Sequence, residues 1–484
     1  MNLNILNEAK QLFEDGIMSI QQGNFSLAEK KFIKCLDLVP GRLSIIHNLI
    51  SIYINTNQKE KLKELLDKYK NLSNKKEILY GAAFHQFFLN NFSESIKICE
   101  KIVQYPQFKD SIEDLLASNY KNKKLFLDAL KIYKKKLRNN KNYLNYYNTG
   151  CLFSELGKSQ TAYYYLNKSK SMKNNDYSTL WNLSLCALRL KYFEEGFLLY
   201  ENRWFKKNNP ENKKFTQIPL PKNLKEVVDK KVLIWDEQGL GDTIQFSRFV
   251  VDLLKFSKKI TFVVNTKLVE IFQNLDKNIR VVSYNNLDPA GFDYQIPLCS
   301  LPKYLNIKDI NDINYYQIQI KNEKSKHVIK NDKLNIGVSW SGNPNYSLDK
   351  YRSISFKHFE DIFKLDNINF YKLSQNVRNE EYLEFSSLSN LTDFGDKSLN
   401  EISQIITNLD LVISSDTSIV HLAGILNVKS YLLLNYNSDW RWFNDKKNTI
   451  WYPSVEIIKQ NNFDSWINVF EELKSKIGRL KKSK

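Results

Sequence analysis

Four residues near the middle of the chain, Gly239-Leu240-Gly241-Asp242, combine two features of a reactive turn: glycines that let the backbone approach a neighbour, and a carboxylate. They follow an apolar run at 232–235 and the polar Asp236-Glu237-Gln238, and they lead into a helical pattern. A glycine turn between strand and helix commonly holds phosphate on the helix N-terminus. This one is not G-x-G-x-x-G, because Asp242 and Thr243 follow Gly241 with no third glycine, and it lacks the G-K-[ST] of a P-loop. Local physics leaves two even readings of Asp242. It caps the helix, with Gly239 and Gly241 serving the turn, or it presents a general base beside Gln238.

A second constellation lies in DLVISSDTSIVHLAG, residues 410–424. A strand ends in Ser414-Ser415-Asp416-Thr417-Ser418, and a helix carrying His421 begins. The N–H groups at a helix start, with the hydroxyls of Thr417 and Ser418, form an anion site, while Asp416 argues for a sugar or ribose hydroxyl beside the anion. The competing reading is a plain cap, with His421 as a satisfied core residue. A third segment closes an apolar strand in the loop Ser341-Gly342-Asn343, followed by Lys350 and Arg352. Either cation suits a diphosphate, and either alone would pass for a surface charge.

Metal chemistry has no visible basis. The five cysteines form no C-x-x-C pair, the five histidines do not cluster, and no Asp-x-Asp is present, so neither a metal site nor a disulfide framework is expected. The formal charge of +18 invites a nucleic-acid partner, but lysine is spread along the whole chain with asparagine and isoleucine rather than gathered on one stretch. Nucleic acid is therefore not expected as a partner. No apolar run is long enough for a transmembrane helix and the start is too polar for a secretory signal, which points to a cytoplasmic protein.

The elements that must hold these residues fall into two halves. From Ala28, steps of 33 or 34 residues reach Leu62, Ser95, Ala129, Ala162 and Gly196, and a larger residue follows each after four positions. Six such units in phase describe stacked helical hairpins, which resemble tetratricopeptide repeats. Residues 1–205 are expected as an all-α solenoid whose groove takes a protein or glycan; the tyrosines at 143–147 and 163–165 either line that groove or, with at least equal weight, pack in the core. Residues 206–229 carry Pro210, Pro219 and Pro221 and read as a linker. Strands then alternate with helices, at 232–235, 260–264, 280–283 and 294–297, and again at 335–340, 369–374, 411–414 and 430–434. Two Rossmann-like domains are expected, 230–325 on the acceptor side and 334–462 on the nucleotide side, with a closing helix and basic tail at 463–484.

The segments EQGLGDTIQF (237–246), SDTSIVHLAG (415–424), DWRW (439–442) and WYP (451–453), together with the last repeat at 185–204, occur in one order. In that order the chain resembles bacterial tetratricopeptide-repeat glycosyltransferases whose catalytic region is similar to the heptosyltransferases of glycosyltransferase family 9. The resemblance implies a GT-B fold and an inverting, metal-independent transfer from a nucleotide sugar, which is substrate rather than cofactor. It makes Asp242 the base and assigns Asp416, Thr417, Ser418, His421, Ser341, Gly342, Asn343 and Arg352 to the donor, with Lys350 an alternative to Arg352. Arg441 is a further donor-side candidate, flanked by two tryptophans of which one is expected to pack. The acceptor would be a protein or surface glycan recruited by the repeats. The alternative is a catalytically inactive repeat adaptor.

Overall fold

A computed structural model describes residues 3–205, 214–320, 332–346, 349–375, 381, 386, 388–443, 447–463 and 465–483. The expected polar break at 322–326 lies outside the described residues. The chain divides into two compact units, Met1–Leu156 and Gly157–Lys484.

The first unit is helical throughout, from Leu3–Gln21 to Tyr143–Glu155. Local chemistry sets the helix ends: Asn24 accepts from the Leu27 amide at 3.1 Å, and Pro106 opens its helix in the first turn, where no amide is needed. The repeat phase is the packing phase. Ala28, Leu62, Ser95 and Ala129 are wholly buried, as is Ala162 in the second unit. A Cβ on Gly16 would stand 2.8 Å from the Phe32 ring, so this glycine lets two helices close on each other. A cavity of about 380 Å³ in this unit is lined by Phe84, Phe87 and Phe88 with Asp110 and Asp114.

The second unit opens with three helices, Ser159–Met172, Tyr177–Arg189 and Phe193–Tyr200, and continues into two parallel sheets. The first sheet holds β1 (Lys231–Trp235), β2 (Lys259–Val264), β3 (Ile279–Ser283) and β4 (Tyr294–Pro297) in the order β3-β2-β1-β4. The second holds β5 (Leu334–Ser339), β6 (Ile368–Lys372), β7 (Leu391–Thr392), β8 (Leu411–Ser415), β9 (Ser430–Leu434) and β10 (Val455–Lys459) in the order β10-β9-β8-β5-β6-β7. The central strands are buried on both faces, which is why they read as unbroken apolar runs. Two edge strands escaped sequence reading. β7 has only two residues, and β10 carries half-buried Glu456 and Lys459, so neither looks like a core strand.

Residues 214–229 are not a free tether. Ile218, Leu224 and Val227 are buried against the first sheet, and Phe215 stacks on Tyr284 with the rings 6.3 Å apart. Prolines marked a turn-rich segment, but its apolar residues were enough to dock it. The closing helix runs Ile467–Ser483, where a helix over 463–477 followed by a basic tail was expected: it starts later and takes in most of that tail, and Asp464 lies outside the described residues. Helix Leu240–Leu253, after β1, packs on helix Ser418–Ile425, after β8. Strand order reverses beside β1 in one sheet and between β5 and β8 in the other, and such switch points open crevices at the strands' C-terminal ends.

Candidate functional site

Asp242 occupies the third position of helix Leu240–Leu253. Its Oδ2 accepts from the Gly239 amide at 2.9 Å, so it does cap the helix. Its other oxygen pairs with the Arg441 guanidinium, carried by the loop after β9. Capping and site chemistry therefore engage different oxygens of one carboxylate, and the two readings are compatible.

Gly241 has a separate task. A Cβ there would sit 2.9 Å from His421 Cδ2 and 3.6 Å from the Ser418 Cα. Glycine brings the Asp242 turn directly onto the helix that begins at Ser418. Gln238 precedes this turn with φ at +64°, a backbone region that side-chain-bearing residues seldom occupy.

Arg441 is buried and triply engaged. It pairs with Asp242, bonds Asp439 Oδ1 at 2.8 Å and stacks on Trp440 with 4.7 Å to the ring centre. Burial opposes its charge, but Asp242 and Asp439 outweigh burial and hold it protonated far above the ordinary arginine range. Its Nε has no partner. Trp440 and Trp442 are both fully buried, where one had been expected to pack; Trp440 lies against Phe197 and Tyr200 of the last repeat, and Trp442 stacks on His421.

His421 is a core histidine. Its Nδ1 meets the Tyr452 hydroxyl at 2.9 Å, and burial, followed by Arg441 and Arg248, pushes it from 6.5 down to about 3. It is neutral at physiological pH, which suits the wall of a site rather than a cationic anchor. Asp416 is partly buried at the end of β8, and burial, then Asp439, raises its carboxyl from 3.8 to about 6.

Thr417 precedes the first turn of helix Ser418–Ile425, and its hydroxyl turns inward. It lies 3.3 Å from Ser414 Oγ and 3.5 Å from Ser339 Oγ, and Ser374 donates to Ser339 at 3.4 Å. Ser418 begins the helix, whose first-turn amides lie beyond the reach of the regular intrahelical ladder; the Val420 amide bonds the Thr417 carbonyl at 3.2 Å. This hydroxyl cluster draws on the ends of β5, β6 and β8. Ser339 and Ser374 were missed because serines at strand ends carry no pattern of their own. Ser415 Oγ is buried without a partner.

The Ser341–Asn343 loop packs around a small knot. The Gly342 amide donates to Ser353 Oγ at 3.0 Å, Ser353 donates to Asp349 at 2.8 Å, and Arg352 Nε bonds Asp349 at 3.1 Å. A Cβ on Gly342 would meet the Arg352 and Asp349 side chains at 2.7 Å, so a larger residue there would have to displace this pair. Ser341 is buried and Asn343 is exposed, accepting from the Asn345 amide. Arg352 also lies over the Tyr346 ring at 4.6 Å, and charges on Asp439, Asp242, Arg352 and Arg441 all reach the Tyr346 hydroxyl. Lys350 sits on the short helix Asp349–Arg352, and its side chain is outside the described residues.

The last repeat contributes groups that the sequence did not single out. Arg203 makes a bidentate pair with buried Glu237, at 2.7 and 2.8 Å. Tyr200 and the Gln238 side-chain amide exchange hydrogen bonds at 3.0 and 3.1 Å. Arg189 donates to Asn437 Oδ1 at 3.0 Å and to the Ser438 carbonyl at 2.8 Å. Glu237 and Gln238 lead to Asp242; Asn437 and Ser438 lead to Arg441. No helix among the described residues is long and apolar enough to cross a membrane, and no group of three or more His, Cys, Asp or Glu there could hold a metal ion.

No family model matches the chain, and no curated protein matches it. Among solved structures it is similar to a glycosyl transferase of family 9 from Veillonella parvula, 13% identical over 54% of this chain and 100% of that one, with a TM-score of 0.40. It is also similar to TibC, an iron-containing dodecameric glycosyltransferase from enterotoxigenic E. coli, 11% identical over 53% and 78%, with a TM-score of 0.38. Its repeats are similar to the protein pilF of Pseudomonas aeruginosa, 14% identical over 40% and 90%, with a TM-score of 0.35.

Proposed function

We propose that the protein is an inverting glycosyltransferase of GT-B architecture that moves a sugar from a nucleotide sugar to a protein or glycan acceptor recruited by the repeats. The observation that carries the reading is the meeting of the turn after β1 with two loops of the second sheet: Asp242 pairs with Arg441, and the adjacent Gly241 packs on the Ser418 helix start. A carboxylate facing an anion-favouring helix terminus across a crevice is what transfer from a diphosphate leaving group needs. Thr417, Ser418 and Arg352 would hold the diphosphate, with Lys350 near them. Asp416 and the Ser341–Asn343 loop would meet sugar or ribose hydroxyls. Asp242 would take the acceptor hydroxyl proton as its oxygen attacks the anomeric carbon from the face opposite the leaving nucleotide. Arg441 pairs with Asp242. An incoming diphosphate is an anion able to draw that guanidinium away and leave the carboxylate for the acceptor. His421 belongs to this reading as a neutral wall, not as a ligand.

The test is binding of nucleotide diphosphates and nucleotide sugars (ADP, GDP, UDP, CMP and dTDP forms), with and without EDTA, to wild type, Arg352→Ala and Asp242→Asn. The expected outcome is EDTA-insensitive saturable binding of one nucleotide class, weakened roughly tenfold by Arg352→Ala and retained by Asp242→Asn, whose turnover falls at least a hundredfold. Absence of binding across the panel would replace the transferase by a repeat adaptor.

A further inference from the structure

We infer that the last repeat is a working part of the site and that Tyr200 is a positioning residue for the Asp242 turn; its catalytic consequence rests on the transferase reading. Three groups on this repeat reach the two loops that carry the Asp242–Arg441 pair. Arg203 holds Glu237, Tyr200 holds Gln238, and Arg189 holds Asn437 and Ser438. Each contact lands within five residues of Asp242 or Arg441.

Gln238 is where this restraint counts. Its φ of +64° is unfavourable for a residue with a side chain, and such a conformation persists only where its surroundings over-determine it. Gln238 is exposed, so burial does not hold it. Among the contacts that hold it are the preceding Glu237, locked by Arg203 and by the Cys299 amide at 2.9 Å, and its own side chain, which meets the Tyr200 hydroxyl at 3.0 Å and, more distantly at 3.5 Å, the Arg441 guanidinium. The ring of Tyr200 is immobilised between Trp181, with ring centres 4.9 Å apart, and Trp440 at 6.1 Å. Trp440 neighbours Arg441 in sequence, so one tyrosine contacts the base turn through its hydroxyl and the arginine loop through its ring. The direction of Asp242 is thereby set by a helix outside both sheets.

The decisive variant is Tyr200→Phe, which keeps the ring and removes the hydroxyl. Hydrogen exchange in the full chain should accelerate about three- to tenfold in the peptide spanning 237–247, the worth of one hydrogen bond, and stay unchanged in the second-sheet strands. Gln238→Gly, which occupies positive φ without strain, should make the added Tyr200→Phe change nearly silent. In turnover of whichever nucleotide sugar binds, kcat should fall three- to tenfold for Tyr200→Phe with nucleotide affinity unchanged. Unchanged exchange at 237–247, or acceleration spread evenly over residues 157–484, overturns the positioning role. So does a loss of nucleotide affinity in place of kcat. If wild type turns over no nucleotide sugar, the transferase reading fails, and the exchange experiment still decides whether Tyr200 orders the turn.

Discussion

Replacing Asp416 by asparagine should change how stability depends on pH, and the sign follows from its surroundings. Burial, then the Asp439 charge, raises this carboxyl from 3.8 to about 6. Between those values the folded protein binds the proton more tightly than the unfolded chain does. Excess protons on the folded state mean that stability falls as pH rises through that window. The shift is about two units, at about 1.4 kcal/mol each, so roughly 3 kcal/mol is the ceiling. Asp416 is only partly buried, and solvent screening reduces the expected effect to about 1–2 kcal/mol. Asp416→Asn should accordingly gain about 1–2 kcal/mol at pH 7 relative to its difference from wild type at pH 4. His421 titrates in the opposite sense. Its value is depressed from 6.5 to about 3, first by burial, so its contribution is complete above pH 6.5 and is lost as pH falls toward 3. In wild type the two slopes oppose each other between about pH 4 and 6. Removing Asp416 leaves the histidine slope, and the variant's stability must rise with pH more steeply than that of wild type. Urea unfolding followed by tryptophan fluorescence, to which the buried Trp440, Trp442 and Trp451 contribute, measures the stability of each protein across this pH range. Parallel curves for the two proteins from pH 4 to 7 would refute the raised carboxyl and the packing that explains it.

Further substitutions, in two pairs, test the scaffold of the site. Gly241→Ala places a methyl 2.9 Å from a histidine that is itself stacked on Trp442, so it should cost about 1–3 kcal/mol, whereas Gly239→Ala, whose nearest neighbour is Asp242 Oδ2 at 3.2 Å, should cost clearly less. Equal urea midpoints for the two variants would contradict the close approach of the two helices. Arg203→Met leaves Glu237 buried and without its cation, a loss of about 3–5 kcal/mol, and adding Glu237→Leu should recover most of it. Failure of the double variant to recover in urea unfolding would assign the loss to the arginine's packing on Trp204 instead.

Much of this molecule can be read from its residues in order. The 33- and 34-residue steps from Ala28 fall on buried helix positions because a stacked repeat needs a small residue wherever neighbouring helices cross. The core strands are legible because a parallel sheet covered on both faces demands continuous apolar runs, and 294–297 and 430–434 match β4 and β9 end to end. Edge strand β10 and the docked segment at 214–229 were not legible, since a half-exposed edge and an irregular apolar segment have no period. Asp242, Asp416, Thr417 and Arg441 stood out because carboxylates, hydroxyls and guanidinium groups beside turns between strands and helices are where chemistry is sought. Their relationships were decided only by the tertiary structure. It gave one oxygen of Asp242 to the cap and the other to Arg441, buried His421 so that it is neutral at physiological pH, and set Tyr200 and Arg203 against the turn from a repeat some forty residues away. Sequence determines which groups a chain carries and which element each belongs to; burial and pairing arise between elements far apart in the chain, and only folding brings those together.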